Sequence, residues 1–153
     1  MPSKQDGLRH MAEGLAFIHL NKFTLRDISP DNILISLDGD RLIISDFGLC
    51  KPVNDPGTFT ISQLVGKHKW WAPELFQWTP GHNQRGTIQS DTFAMGCVFH
   101  YYLTKGKHPF EVADDPERTR QNIINGATHK RKIVLIKFFF VIITSVIVFI
   151  CFT

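Results

Sequence analysis

No two glycines in the 153 residues are separated by a single position, so a G-x-G-x-x-G phosphate loop is absent from this sequence. Cysteine is scarce. Cys50, Cys97 and Cys151 are odd in number and widely spaced, so neither a disulfide framework nor a zinc cluster follows from them, and the plain reading is buried or free thiols in a reducing compartment. Charge of either sign is modest: 17 Lys and Arg stand against 14 Asp and Glu, a net +3, and no basic stripe is interleaved with aromatics. Direct nucleic-acid binding is therefore not expected. The first residues, MPSKQDG, are too short and polar for a signal peptide, and the body carries neither internal repeat nor low-complexity linker. What is present is a globular composition, 43% hydrophobic and 20% charged, in a length suited to one domain.

In residues 7–19 the apolar side chains Leu8, Met11, Ala12, Leu15, Ala16 and Ile18 recur at steps of three and four, one face of a helix. Residues 1–6 are expected to be a disordered start. Two apolar runs, 33–37 and 41–45, flank Asp38-Gly39-Asp40 and predict a β-hairpin, because glycine accepts the positive φ of a tight turn. Five residues out, three in the turn and five back would set Asn32 opposite Asp46, their backbones roughly 5 Å apart. Residues 74–89 are turn-rich and suggest a short helix and a loop. Residues 90–104, SDTFAMGCVFHYYLT, are apolar nearly all round, as in a helix buried on most sides, and Gly106 and Pro109 end it.

The stretch LRDISPDNILI (25–35) is followed by Asp46-Phe47-Gly48. An amide oxygen from Asn32 and a carboxylate from Asp46 suit a hard cation such as Mg²⁺, which takes a few protein oxygens together with phosphate and water. Asp27, one loop away, suits an attacking hydroxyl that must be oriented and relieved of its proton. Each item alone is weak; a lone loop aspartate is usually a turn residue. Their order and spacing together are far more specific.

These residues carry a resemblance. Leu25-Arg26-Asp27 with Asn32, then Asp46-Phe47-Gly48, then Ala72-Pro73-Glu74 resemble the H-R-D-x-x-x-x-N, D-F-G and A-P-E motifs of the C-terminal lobe of a eukaryotic protein kinase, over about residues 7–127. ISDFGLCK (44–51), GCVFHYYLTKGKHPF (96–110) and RQNIINGA (120–127) are similar to the inositol-requiring kinase-endoribonuclease, the endoplasmic-reticulum stress sensor of the unfolded protein response. The resemblance implies an α+β, mainly helical C-lobe with a small hairpin, acting on ATP and Mg²⁺ as a serine/threonine protein kinase. Asp27 would be the catalytic base, Asn32 and Asp46 the magnesium and nucleotide ligands. Arg26 would meet a phosphate on the segment 46–74, with Thr58, Thr60 and Ser62 as acceptors. Asp91 would hold the backbone of the catalytic loop, and Glu74 would seek an arginine. Expected partners are a protein substrate or a kinase-domain partner, a second copy included.

The sequence departs from that pattern at named positions. Ser29 stands where the family has a lysine that neutralises the transferring phosphate, and loss of one such contact costs roughly 10²–10³ in rate. Leu25 replaces a histidine that mainly packs. Lys67, in GKHKWWAPE (66–74), replaces a threonine; either it supplies part of the missing positive charge or it points into solvent. The strand lysine and its glutamate partner have no place before Gly7, and the family's later helices, with the arginine for Glu74, have no counterpart. The expectation is a kinase domain of residues 7–128 that is inactive by itself. The competing expectation is a non-catalytic, pseudokinase-like binding or membrane-tethered scaffold.

A basic cluster at 129–132 reads as a linker to residues 133–153, IVLIKFFFVIITSVIVFICFT, whose only charge is Lys137. As a helix this stretch would measure about 31 Å, close to the ~30 Å hydrocarbon thickness. The cluster before it suggests a cytosolic-facing body, at the endoplasmic reticulum by resemblance, with a cytoplasmic protein as the alternative. A buried strand or helix, or residues translated from outside the true reading frame, are the other readings of the tail.

Overall fold

The computed structural model describes residues 2–82 and 84–127. The 129–132 linker and the 133–153 span lie outside the described residues. Among the described residues no helix is long and apolar enough to cross a membrane.

Chain order is α1 (Lys4–Leu20), β1 (Phe23–Thr24), β2 (Ile33–Ile35), β3 (Leu42–Ile44), β4 (Lys51–Pro52), β5 (Thr58–Thr60), β6 (Arg85–Thr87), α2 (Ile88–Leu103) and α3 (Pro116–Asn125). Short 3-10 turns occupy Pro30–Asn32, His68–Trp70 and Pro73–Gln77. The strands form three antiparallel pairs, β1 with β4, β2 with β3, and β5 with β6. The expected α+β, mainly helical architecture is present in this part of the chain.

The expected disordered start is instead helical from Lys4. Ser3 Oγ accepts the Asp6 backbone N–H at 3.1 Å and donates to Asp6 Oδ2 at 2.6 Å, satisfying an otherwise orphaned first-turn donor. The helix stops where Asn21 Nδ2 donates to the Phe17 carbonyl, 2.7 Å, and Lys22 takes a φ of +62°. The face foreseen from the three-four spacing is the buried one. Met11 and Leu15 are fully buried against Met95, Val98 and Phe99 of α2, with Leu25 and Ile28 packed into the same core. Each large apolar side chain so buried contributes about 1.5–3 kcal/mol.

The hairpin differs from the expectation by one position. The pairs are Ile33↔Ile44, Leu34↔Ile43 and Ile35↔Leu42, and Ser45 N–H donates to the Asn32 carbonyl at 2.9 Å. Asn32 therefore faces Ser45, and Asp46 lies one residue further on, at a φ of +59°. The turn is a residue longer than the sequence suggested. Ser36 N–H donates to the Arg41 carbonyl and Ser36 Oγ accepts from Arg41 N–H, both at 2.9 Å, which leaves Leu37 exposed in the turn rather than in a strand. In the 74–89 stretch the short helix is a 3-10 turn at its start, and the remainder includes β6, which had read as loop.

Candidate active site

The loop of residues 24–32 hangs from one buried carboxylate. Asp91, in the first turn of α2 and 2% exposed, accepts from Thr24 Oγ1 at 2.8 Å, Leu25 N–H at 2.7 Å and Arg26 N–H at 2.9 Å. His19 Nε2 lies 3.2 Å from the same carboxylate. Three donors from consecutive residues fix the loop far more tightly than a surface turn. Leu25 is buried at 2% exposure in the core, the packing place the sequence suggested for it.

Arg26 takes a φ of +67°, in the left-handed region. Its Nε donates to the Leu49 carbonyl at 2.8 Å and its guanidinium lies over the Phe59 ring, 5.7 Å from the centroid. Burial pulls its pKa below the usual arginine range, with Asp91 opposing that shift. Lys51 Nζ lies 5.9 Å from the same ring centroid and donates to the Thr60 carbonyl at 2.9 Å. Two cations thus flank Phe59, the residue between Thr58 and Thr60. Thr58 Oγ1 donates to Asn54 Oδ1 at 2.7 Å, whereas the Thr60 and Ser62 residues are exposed.

Asp27 is half-buried and held from two sides. Asn32 Nδ2 donates to its carbonyl at 2.8 Å and to its Oδ2 at 3.1 Å, while Lys67 N–H donates to its Oδ1 at 3.2 Å. Gly66 makes the second approach feasible. Its φ is +81°, and a Cβ there would stand 2.5 Å from the Arg26 carbonyl and 2.9 Å from Asp27 Oδ1. Ser29, completely buried, accepts from Lys67 Nζ at 3.3 Å, and the same ammonium bonds the Asp31 carboxylate. The Lys67 side chain thus stays partly in solvent while its ammonium reaches the loop at Ser29 and Asp31.

Asn32 spends its amide nitrogen on Asp27, which leaves its amide oxygen for a cation. Asp46 is exposed, and its Oδ1 accepts from Gly48 N–H at 3.1 Å. Among the described residues no three His, Cys, Asp or Glu side chains cluster to hold a metal alone. One amide and one carboxylate oxygen, completed by phosphate and water, are a donor set that fits Mg²⁺. The cavity lined by Arg26, Asp27, Lys67 and Asp91 measures about 20 Å³, room for one water and not for a nucleotide.

Glu74 corrects an expectation. Where the resemblance leads one to expect an arginine, it is exposed and accepts from Ser90 Oγ at 2.7 Å. Sequence reading had also missed β1–β4 and β5–β6, pairs that join the loop of residues 24–32 and its neighbours to distant segments.

The loop hung on buried Asp91, with Asp27 presented beside Asn32, is the setting in which the family comparison is read. The protein kinase domain model matches residues 3–141, and the chain belongs to that family. Among named proteins it is 37% identical to the serine/threonine-protein kinase/endoribonuclease ire-1 of Caenorhabditis elegans over 131 residues, 80% of this chain and 13% of the relative. It is 38% identical to the serine/threonine-protein kinase/endoribonuclease IRE2 of Homo sapiens, covering 78% of this chain and 13% of the relative. The sensor for unfolded proteins in the ER, ire1, of Schizosaccharomyces pombe is 29% identical over 143 residues, again 78% and 13%. The chain thus spans about an eighth of the length of these relatives.

Proposed function

We propose that residues 7–128 form the catalytic lobe of a serine/threonine protein kinase of the unfolded-protein-response sensor type, transferring the terminal phosphoryl group of ATP to a protein hydroxyl. The observation that carries this reading is Asp27, bonded by Asn32 on one side and by Lys67 N–H on the other, in a loop tied to Asp91. Asp27 orients the substrate hydroxyl and receives its proton. Asn32 and Asp46 would hold Mg²⁺, which when bound neutralises phosphate charge. Ser29 lines the nucleotide's phosphate end through its contact with Lys67. Arg26, with Lys51 beside Phe59, receives phosphate placed on Thr58, Thr60 or Ser62 through charge-assisted contacts. Asp91 and Glu74 are structural.

The 153 residues contain no G-x-G-x-x-G loop to cover a nucleotide's phosphates, which supports reading the nucleotide site as incomplete in this chain. By itself the chain is therefore expected to be inactive. The partners would be a protein substrate and a second kinase domain, at the endoplasmic-reticulum membrane as the names of the relatives suggest. The apolar stretch 133–153 remains proposed as the membrane segment. The experiment is a pair of measurements. In the chain joined to the nucleotide-binding lobe of a protein-kinase relative, Asp27→Asn should abolish phosphoryl transfer while leaving the melting temperature nearly unchanged; retained transfer rejects Asp27 as the base. For the 153-residue chain, an increase in melting temperature that requires both Mg²⁺ and ATP favours a residual enzyme site. No increase favours the non-catalytic scaffold, whose tethering is then read from membrane extraction.

A further inference from the structure

Lys67 and Ser29 are far apart in the chain, yet they form one unit. The Lys67 backbone is fixed by its N–H bond to Asp27 Oδ1, and its side chain folds back to Ser29 Oγ at 3.3 Å and to the Asp31 carboxylate. Ser29 is completely buried, and among the described residues Lys67 is the hydrogen-bond partner of its hydroxyl. An ammonium carries three donors. Two are committed to Ser29 and Asp31, and the third is available on a side chain still 44% exposed. One residue therefore binds the carboxylate at Asp27 by its backbone and holds a positive charge next to the same loop by its side chain.

We infer that the Lys67 ammonium is the cation that faces the transferred phosphoryl group, a catalytic role that the loop's own residue 29, a serine, cannot fill. The inference rests on the phosphoryl-transfer reading of Asp27. In the step, the hydroxyl oxygen bonds to phosphorus, the bond from phosphorus to the bridging oxygen of the nucleotide breaks, and the hydroxyl proton passes to Asp27. Lys67 keeps its protons and stabilises the negative charge on the non-bridging oxygens. A preorganised donor of this kind is worth roughly 10²–10³ in rate. Asp31 and Ser29 position the ammonium, and Gly66 permits the close approach of the segment that carries it.

The test is steady-state kinetics on a protein substrate of the chain joined to the nucleotide-binding lobe of a protein-kinase relative, for the native sequence and for Asp27→Asn, Lys67→Met, Lys67→Arg and the double exchange Ser29→Lys with Lys67→Thr. The expected results are a fall of about 10²–10³ in kcat for Lys67→Met with KM for the substrate little changed, and a smaller fall for Lys67→Arg. The double exchange should recover kcat to within about tenfold of native, because it restores the charge while removing the Lys67–Asp31 bridge. A merely structural lysine would not be rescued in this way. If Lys67→Met stays within about threefold of native while Asp27→Asn is inactive, the phosphoryl-transfer reading stands and the role of Lys67 falls. If Lys67→Met is inactive and the double exchange fails to recover, Lys67 acts through the bridge and the inference is overturned. A native protein no more active than Asp27→Asn overturns both.

Discussion

Asp91 and Asp27 are both bonded to the loop of residues 24–32, one 2% exposed with its oxygens turned to three loop donors and a histidine, the other half-buried with two donors and an open flank. The difference is one of division of labour. A buried carboxylate whose oxygens are taken up by donors is committed to holding backbone, because its acceptor sites are already occupied. A carboxylate held on one side and free on the other can meet a substrate. The same loop thus spends one carboxylate on its own backbone and leaves the other partly accessible, the contrast that the proposed roles of Asp91 and Asp27 require.

The sharpest way to break this comparison is to delete each carboxylate in turn. Asp91→Ala strands Leu25 and Arg26 N–H groups in a buried setting and should cost about 3–5 kcal/mol, a large share of a stability of order 5–15 kcal/mol. Asp27→Ala removes two partly exposed bonds and should change unfolding free energy by about 1 kcal/mol or less. Urea unfolding of both variants reads the contrast; equal losses would erase the division of labour.

A smaller effect is expected at the joint between the two segments. Gly66→Ala introduces a side chain at a φ of +81°, with its Cβ directed at the Arg26 carbonyl. The strain should cost about 1–3 kcal/mol and push Lys67 N–H off Asp27. The corresponding readout is the exchange rate of the Lys67 amide proton, which should rise more than the exchange rates of Leu25 and Arg26. Uniform acceleration would mean global loosening instead.

The tie at Asp91 was legible only through the family resemblance, because an aspartate heading an apolar helix reads locally as an N-terminal charge and nothing more. Helix positions, by contrast, were legible locally: periodicity in α1 and α2 is a local signal with a known phase. The hairpin was legible in kind but not in register. Leu37 reads as strand by its apolarity, whereas the Ser36 hydroxyl and the Ser36–Arg41 pairing close the turn one residue earlier and leave Leu37 in solvent. One position is enough to reverse which face a side chain takes, and so Asp46 is not opposite Asn32. Strand pairs such as β5–β6, two three-residue pieces far apart in the chain, leave no local signature. Nor could sequence alone say where Lys67 points, because that depends on a glycine turning the neighbouring backbone toward a loop read separately.

The comparison sharpens once more with a buried group that has no countercharge of its own. His108 is 3% exposed, set edge-on to Trp70 with ring centroids 4.7 Å apart, and its Nδ1 accepts from Phe110 N–H at 3.3 Å. Burial, aided by the nearby Lys69 charge and His100 and opposed by Glu111, pulls its pKa down to about 3 from 6.5. Between those values the unfolded chain binds a proton that the folded chain refuses, so unfolded molecules hold more protons and stability rises with pH across the window. The contribution is complete above about pH 6.5 and is lost as pH falls toward 3, with a slope of at most about 1.4 kcal/mol per pH unit. His108→Phe keeps a ring in the same apolar slot but cannot titrate. Urea unfolding at pH 7, 6, 5 and 4 should give a shallower acid loss for the variant by about that slope, while the share due to Glu111 and Lys69 persists in both proteins. Parallel curves would mean that His108 takes its proton in the folded state, through an opening of the Trp70 contact that the native packing does not show.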